Sequence, residues 1–235
     1  MPYITYNSSI PGVSIGVWQI EEDEWYFLSR IKLYENEWQR LSRISHPQKR
    51  LEWLSSRLCM KELLTIEDTT RVESLNSQNG KPFLTNNPHS ISYTHSNCYS
   101  AAIASRNAEV GIDIEYRKRK RNLRTRFLFM NELELSVFDQ TEAFELFLLI
   151  WSAKETIYKI HGQGVAFKDN IHLQLQNFTL KSNGSFNAIV HKEDLHKEYE
   201  VHYDISPDYI LTYTCSGLPQ QARGAFLEEA HPLRQ

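Results

Sequence analysis

The sequence predicts a mixed α+β fold built as two halves. Strand-like and helix-like stretches come in blocks, in the order β, α, α, loop, β, β and then α, α, β, β, β, β, rather than alternating one by one. The second block loosely repeats the style of the first, with no repeat at the level of residues. The 235 residues, 41% of them hydrophobic, are enough for one large domain or two small ones with a sizeable core.

Taken in order, "GVSIGVWQI" (12–20) alternates small and apolar residues, is rich in Val and Ile, and reads as a strand. "EDEWYFLSRIKLYENEW" reads as a helix or as a helix with a break. "SHPQKRLEWLSSRLCMKELL" (45–64) is a stronger helix: Ser45 or His46 caps it, Pro47 suits its first turn, and Leu51, Leu54 and Leu58 share a face. Residues 76–90 carry loop chemistry, dense in Asn, Gly, Pro and Ser. "SISYTHS", "YSAAIA" and "VGIDIE" read as neighbouring strands. Residues 126–161 turn helical. "IHLQLQNFTLKS", "SFNAIVH", "YEVHYDI" and "YILTYTC" return to strands, divided by Asn-Gly and Pro-Asp turns. The boundary falls near 110–117, which divides the chain into 1–111, 112–225 and a tail at 226–235. It also puts "GIDIE" at a seam between halves, a place where sites often form.

Composition removes several classes of function. A net charge of −3 is not that of a nucleic-acid-binding polycation, so charge distribution matters more than its sum. Cys59, Cys98 and Cys215 are odd in number and widely spaced, which argues against a disulfide framework or zinc site and for a reducing compartment. The N-terminus lacks the pattern of a signal peptide, and the longest apolar run, "LFLLIW", is too short to span a bilayer. These observations predict a soluble cytoplasmic protein.

Four stretches carry candidate chemistry. In "VGIDIE", Val110, Ile112 and Ile114 share one strand face, and Gly111, Asp113 and Glu115 share the other. The first set is expected to face a core and the second to face out. Asp113 and Glu115 then lie about 6–7 Å apart along the backbone. They suit a hard cation such as magnesium, which takes one or two carboxylates plus phosphates and water. They equally suit a solvated acidic face. In "FELFLLIWSAKETIYKIHGQG" (144–164), Trp151, Glu155 and Lys159 recur every four residues on one helix face. A routine Glu-to-Lys surface pair is the plainer reading, but a carboxylate beside a Trp on a mostly apolar helix is suggestive. In "NGKPFL" and "SYTHS", Gly80 and Pro82 set a turn around Lys81, and Thr94, His95 and Ser96 form a polar knot. All of these are good phosphate partners, although a lone His is more often structural. Arg50, Arg57 and Lys61 lie along one helix stripe, by default a solvated face.

In combination these motifs resemble the phosphopantetheinyl transferases, in particular the longer single-chain type that acts on diverse carrier proteins. "GIDIE" is similar to the family's G-[IV]-D-x-E motif and "WSAKETIYK" to its W-x-x-K-E-x-x-x-K motif. "GKP" and "SYTHS" stand upstream at the expected places, and "RFLFMNE" (126–132) resembles its R-F-F-x-x-x-E segment. The resemblance runs from about residue 45 to 165. It departs from the family pattern at Thr94, where a Ser is common, and after Lys159.

The resemblance implies two α+β halves related by a pseudo-two-fold axis, with the active site at the seam. It implies transfer of the phosphopantetheine arm of coenzyme A to a serine of an acyl or peptidyl carrier protein, releasing adenosine 3′,5′-bisphosphate. Asp113, Glu115 and Glu155 would be the metal-binding carboxylates, with magnesium as the ion and manganese as the alternative. Glu155 would also serve as base for the serine, and Lys159 would stabilise the pyrophosphate or protonate its leaving oxygen. Lys154, Lys81, Thr94 and His95 would hold coenzyme A phosphates, and Arg50 its 3′-phosphate, ahead of Arg57 and Lys61. The physics agrees: three clustered carboxylates repel unless a cation joins them. The basic run Arg117, Lys118, Arg119, Lys120 and Arg121, with Arg124 and Arg126, is expected to receive an acidic carrier surface. A monomer is implied, with neither nucleic acid nor membrane as partner. The competing readings are a non-catalytic coenzyme A-binding relative and a metal-dependent nuclease, which would bind DNA or RNA in a salt-dependent way.

Overall fold

Apolar runs joined by short polar turns favour antiparallel pairing, since a parallel crossover needs a dozen or more residues. The computed structural model describes residues 3–6, 8–65, 74–77, 81–84, 88–162, 164–193 and 195–216, and in it the strands form two antiparallel sheets in a mixed α+β fold. The first sheet takes β1 (Tyr3–Tyr6), β2 (Val13–Gln19), β3 (Ser74–Asn76), β4 (Pro82–Leu84), β5 (Ser90–Ser96) and β6 (Tyr99–Ser105), in the order β1-β2-β6-β5-β4-β3. Three helices, α1 (Glu24–Leu28), α2 (Glu35–Ser42) and α3 (Pro47–Thr65), lie between β2 and β3 in the chain. The second sheet takes β7 (Glu109–Tyr116), β8 (Ile171–Leu173), β9 (Asn183–Lys192), β10 (Leu195–Ile205) and β11 (Tyr209–Ser216), in the order β7-β11-β10-β9-β8. Between β7 and β8 run α4 (Arg126–Phe129), α5 (Glu132–Thr141), α6 (Phe144–His161) and α7 (Phe167–Asn170).

The burial pattern stacks these parts. On one side α3 covers the first sheet, with Leu54, Leu58 and Cys59 against Ile91, Ala102 and Ala104. On the other, α6 covers the second sheet, with Ala153, Ile157 and Ile160 among Ala188, Val190, Val201 and Ile210. Between the sheets Val13, Ile15, Val17, Ala101 and Ile103 meet Val110, Ile112, Ile114 and Leu211. The alanines of "YSAAIAS" leave room on both faces of β6. Burial of this kind stabilises by roughly 1.5–3 kcal/mol per large side chain.

Two local features fix the seam. A Cβ on Gly111 would lie 2.1 Å from the backbone oxygen of Thr156, so only glycine lets α6 rest on β7. Opposite, every second residue of β5 is Ser or Thr: Ser90, Ser92, Thr94 and Ser96. The hydroxyls of Ser90, Thr94 and Ser96 meet β7, the edge strand of the second sheet. Val110 N–H donates to Ser90 Oγ at 3.3 Å and Tyr116 N–H to Ser96 Oγ at 3.1 Å. Side chains from the first half thus satisfy an edge that would otherwise be bare.

Several expectations need correction. The segment 76–90 is not all loop, because β4 lies inside it and pairs with β3; residues 78–80, with Gly80, and 85–87 are outside the described residues. The strand β1 had no reading in the sequence. In 171–182 only Ile171–Leu173 is strand. β5 and β6 pair as neighbours, but β7 joins the other sheet beside β11, since pairing depends on distant partners that local pattern does not name. The tail at 226–235 is outside the described residues. No helix among the described residues is long and apolar enough to cross a membrane, and Cys59, Cys98 and Cys215 form no disulfide with one another.

Candidate active site

The parity read in "VGIDIE" holds, but the second face is not solvated. Asp113 and Glu115 are each 5% exposed, lying under α6 at the open edge of the second sheet. Over them α6 places Trp151, Glu155 and Lys159 one turn apart, and β5 adds Thr94, His95 and Ser96 from the first half. Arg119 and Arg121, from the loop after β7, close a cleft of about 330 Å³.

The charges inside are tightly arranged. Lys159 donates to Asp113 Oδ1 at 2.8 Å and to the Ile112 carbonyl at 2.9 Å. Thr94 donates to the same Oδ1 at 2.9 Å. Asp113 Oδ2 is buried with no hydrogen-bond partner, which ordinarily costs about 1–3 kcal/mol. Arg121 donates to Glu115 Oε1 and Oε2 at 2.5 and 2.6 Å, and Ser96 donates to Oε2 at 3.3 Å. Burial and the charge of Asp113 still push the Glu115 carboxyl up, against the pull of Arg121. Burial, and then Asp113, push the Glu155 carboxyl up to about 7, with Lys159 opposing. A raised carboxyl in a cleft, held there by burial and a like charge, is the electrostatic mark of a functional group.

Among the described residues no three acidic, histidine or cysteine side chains already form a metal centre. Lys159 pairs with Asp113 and Arg121 with Glu115. The donor set is nonetheless all oxygen and hard, and Asp113, with its orphaned Oδ2, lines the cleft together with two further carboxylates. That set fits a divalent cation that brings phosphates and water as its remaining ligands.

The other expected site residues divide. Thr94 and His95 stand in the cleft, His95 with its Nδ1 3.0 Å from Glu52 Oε2. Lys154 does not: it is 0% exposed, 2.7 Å from Glu134, and donates to the carbonyls of Phe167 and Ile171 at 2.8 and 2.6 Å. Its three protons are spent in the core of the second half, because one residue along a helix turns the side chain by about 100°. Arg50 is also elsewhere. It forks onto Glu24 at 2.8 and 2.5 Å and donates to the carbonyls of Leu41 and Ile44, bracing the three helices of the first half. Lys81 lies outside the cleft lining, 3.3 Å from Glu109 and within 3.4 Å of the Ile160 carbonyl. The Arg50, Arg57 and Lys61 stripe is not a uniform solvated face. Arg57 is 8% exposed and stacks 3.4 Å from the centre of the Trp53 ring, while exposed Lys61 donates to the Arg30 carbonyl.

The basic run is split in the same way. Arg117 pairs with Glu145 at 2.6 Å, Lys118 with Asp208 at 2.6 Å and Arg126 with Asp139 at 3.5 Å. Arg121 belongs to the cleft. Exposed Arg119, Lys120 and Arg124 have no carboxylate partner among the described residues. Two important residues had escaped notice. Glu134 caps α5 with Asn131 and accepts from Leu173 N–H at 2.9 Å; the capping-box spacing Asn131 to Glu134 was the available signal. Glu52, buried on α3, gave no signal within an ordinary amphipathic stretch.

No curated protein matches the chain. The stretch that carries β7, the helices and the rest of the second sheet does have a match: residues 109–214 fit the family model described as the 4'-phosphopantetheinyl transferase superfamily, to which this stretch is therefore similar.

Proposed function

We propose that the protein moves the 4'-phosphopantetheine arm of coenzyme A onto a serine of an acyl or peptidyl carrier protein, releasing adenosine 3′,5′-bisphosphate. The observation that carries this reading is the buried Asp113, with one orphaned oxygen, facing Glu155 and Lys159 inside a stretch that matches the superfamily. The longer single-chain type is supported by the first half, whose β5 places Thr94 and His95 over β7.

In the step proposed, the serine oxygen attacks the phosphorus next to pantetheine, and the bond from that phosphorus to the bridging oxygen breaks. Glu155, a carboxylate placed between Trp151 and Lys159 in the cleft, takes the serine proton. Lys159 stabilises the new charge on that bridging oxygen. Thr94 and His95 hold phosphate oxygens. Magnesium or manganese, held by Asp113, Glu115 and Glu155, would neutralise pyrophosphate charge when bound. Lys154 and Arg50 have no part in this scheme. The carrier would approach over Arg119, Lys120 and Arg124, beside exposed Phe127 and Leu128, a surface suited to an acidic partner with an apolar patch.

Intact-mass analysis tests the reading. The protein is mixed with coenzyme A, magnesium and a panel of apo carrier proteins, and a carrier is expected to gain one phosphopantetheine. Coenzyme A binding without any gain across the panel would favour a binding-only relative.

A further inference from the structure

Glu52 is a carboxylate that the proposed scheme does not use, yet it is only 2% exposed and lies against His95, which lines the cleft. A buried carboxylate costs several kcal/mol unless it is paired. Two cationic or proton-bearing groups reach it at a single oxygen: Lys49 Nζ at 2.5 Å and His95 Nδ1 at 3.0 Å, both on Oε2. Burial pushes the Glu52 carboxyl up, but the bonds from His95 and Lys49 outweigh it and hold the group below the usual carboxylate range. An ionised carboxylate only accepts hydrogen bonds, so the proton between it and the ring belongs to Nδ1 of His95. Nε2 is then the ring nitrogen left for a ligand. His95 lines the cleft with its side chain 35% exposed, and Nε2 makes no hydrogen bond within the described residues.

We propose that Glu52 is a positioning residue: it pins Nδ1–H of His95 and so presents Nε2 to a phosphate oxygen of the substrate. This rests on the transfer reading above, which supplies the phosphate. With Glu52 on one side and a phosphate on the other, the ring lies between two anions and carries both protons. Nε2 then donates a charge-assisted hydrogen bond. The contact is made from α3 of the first half, so part of substrate recognition is set outside the stretch that matches the superfamily.

The test uses the full chain, 15N-labelled, with adenosine 3′,5′-bisphosphate as the probe. In the wild type, imidazole 15N signals of His95 are expected to show the doubly protonated ring in the bisphosphate complex. In Glu52→Gln, whose shape is retained but whose charge is gone, that signature is lost and bisphosphate binding weakens by about tenfold. On a His95→Ala background, Glu52→Gln should add no further loss, because the two residues act through one contact. A doubly protonated ring in the Glu52→Gln complex, or full additivity with His95→Ala, overturns the proposal. A wild type whose His95 signals ignore the bisphosphate overturns it as well. None of these readouts needs a carrier protein, so failure of the transfer reaction appears separately, in the wild-type mass analysis.

Discussion

Two lysines five residues apart on α6 each meet a carboxylate from another element, and the two pairs have opposite characters. Lys154 and Glu134 are both fully buried, 2.7 Å apart, and every proton and most lone pairs are used: by two carbonyls, by Leu173 N–H and by the α5 cap. Lys159 and Asp113 are equally close, at 2.8 Å, but Lys159 is 23% exposed and Asp113 keeps one oxygen without a partner. The first pair is a closed joint that ties α5, α7 and β8 to the helix. The second is incomplete, beside a carboxyl that burial and like charge hold near 7. An ion pair serves structure when its hydrogen bonds are exhausted, and it serves chemistry when some are withheld.

Substitutions that treat the two sites alike would break this contrast. Lys154→Met leaves Glu134 buried and unpaired, and is expected to cost about 3–5 kcal/mol in denaturant unfolding. Lys159→Met is expected to cost less stability than Lys154→Met, since Lys159 is 23% exposed and water can reach the site, while lowering the transfer rate at least about a hundredfold. Equal stability losses in the two variants would dissolve the distinction. Next in size, Gly111→Ala forces a methyl group against the Thr156 carbonyl and is expected to cost about 3 kcal/mol, with loss of activity as α6 lifts from β7. A variant with wild-type melting temperature would mean that the helix does not rest where we place it.

The open site should also reveal itself through pH. The Glu155 carboxyl is raised in the folded protein, so between about 4.5 and about 7 the folded state binds a proton that the unfolded state has lost. Its contribution to stability is present below the lower value and disappears as pH rises through the upper one. With a chelator present, Glu155→Gln is expected to be about 2 kcal/mol more stable than wild type near pH 8, and no more stable near pH 4. A constant difference across that range would assign the effect to something other than this charge. The smallest effect concerns the rim. Arg119→Glu together with Arg124→Glu should lower kcat/KM for an acidic carrier about tenfold at low salt, and the gap should close as salt is raised. A loss that ignores salt would remove these residues from carrier approach.

Much of this was legible in the sequence, for reasons that also explain the gaps. The period-two pattern of "VGIDIE" and the four-residue recurrence of Trp151, Glu155 and Lys159 are local rules, and both placed side chains on the correct faces. The fates of Lys154 and Arg50 turned on partners far away in sequence, at Glu134 and Glu24, which no local rule supplies. The burial of Asp113 and Glu115 was missed for a related reason. An alternating strand reads as half-solvated, and nothing in "VGIDIE" says that a helix forty residues on covers its polar face. Glu52 was the least visible of all, since a Glu in an amphipathic helix looks like a surface residue until its strand neighbour is known.

The hydroxyl stripe on β5 has a consequence for taking the protein apart. Residues 109–214 carry the superfamily match, yet cut free of the first half they would lose the serines that satisfy the outer edge of β7. The apolar surface of Val110, Ile112, Ile114 and Leu211 would be bared at the same time. A fragment with an open strand edge and a naked apolar face recruits another copy of itself or precipitates. The familiar half of this chain is therefore not a portable module: its solubility in isolation depends on some second layer, whether its own first half or another chain, lying across that edge.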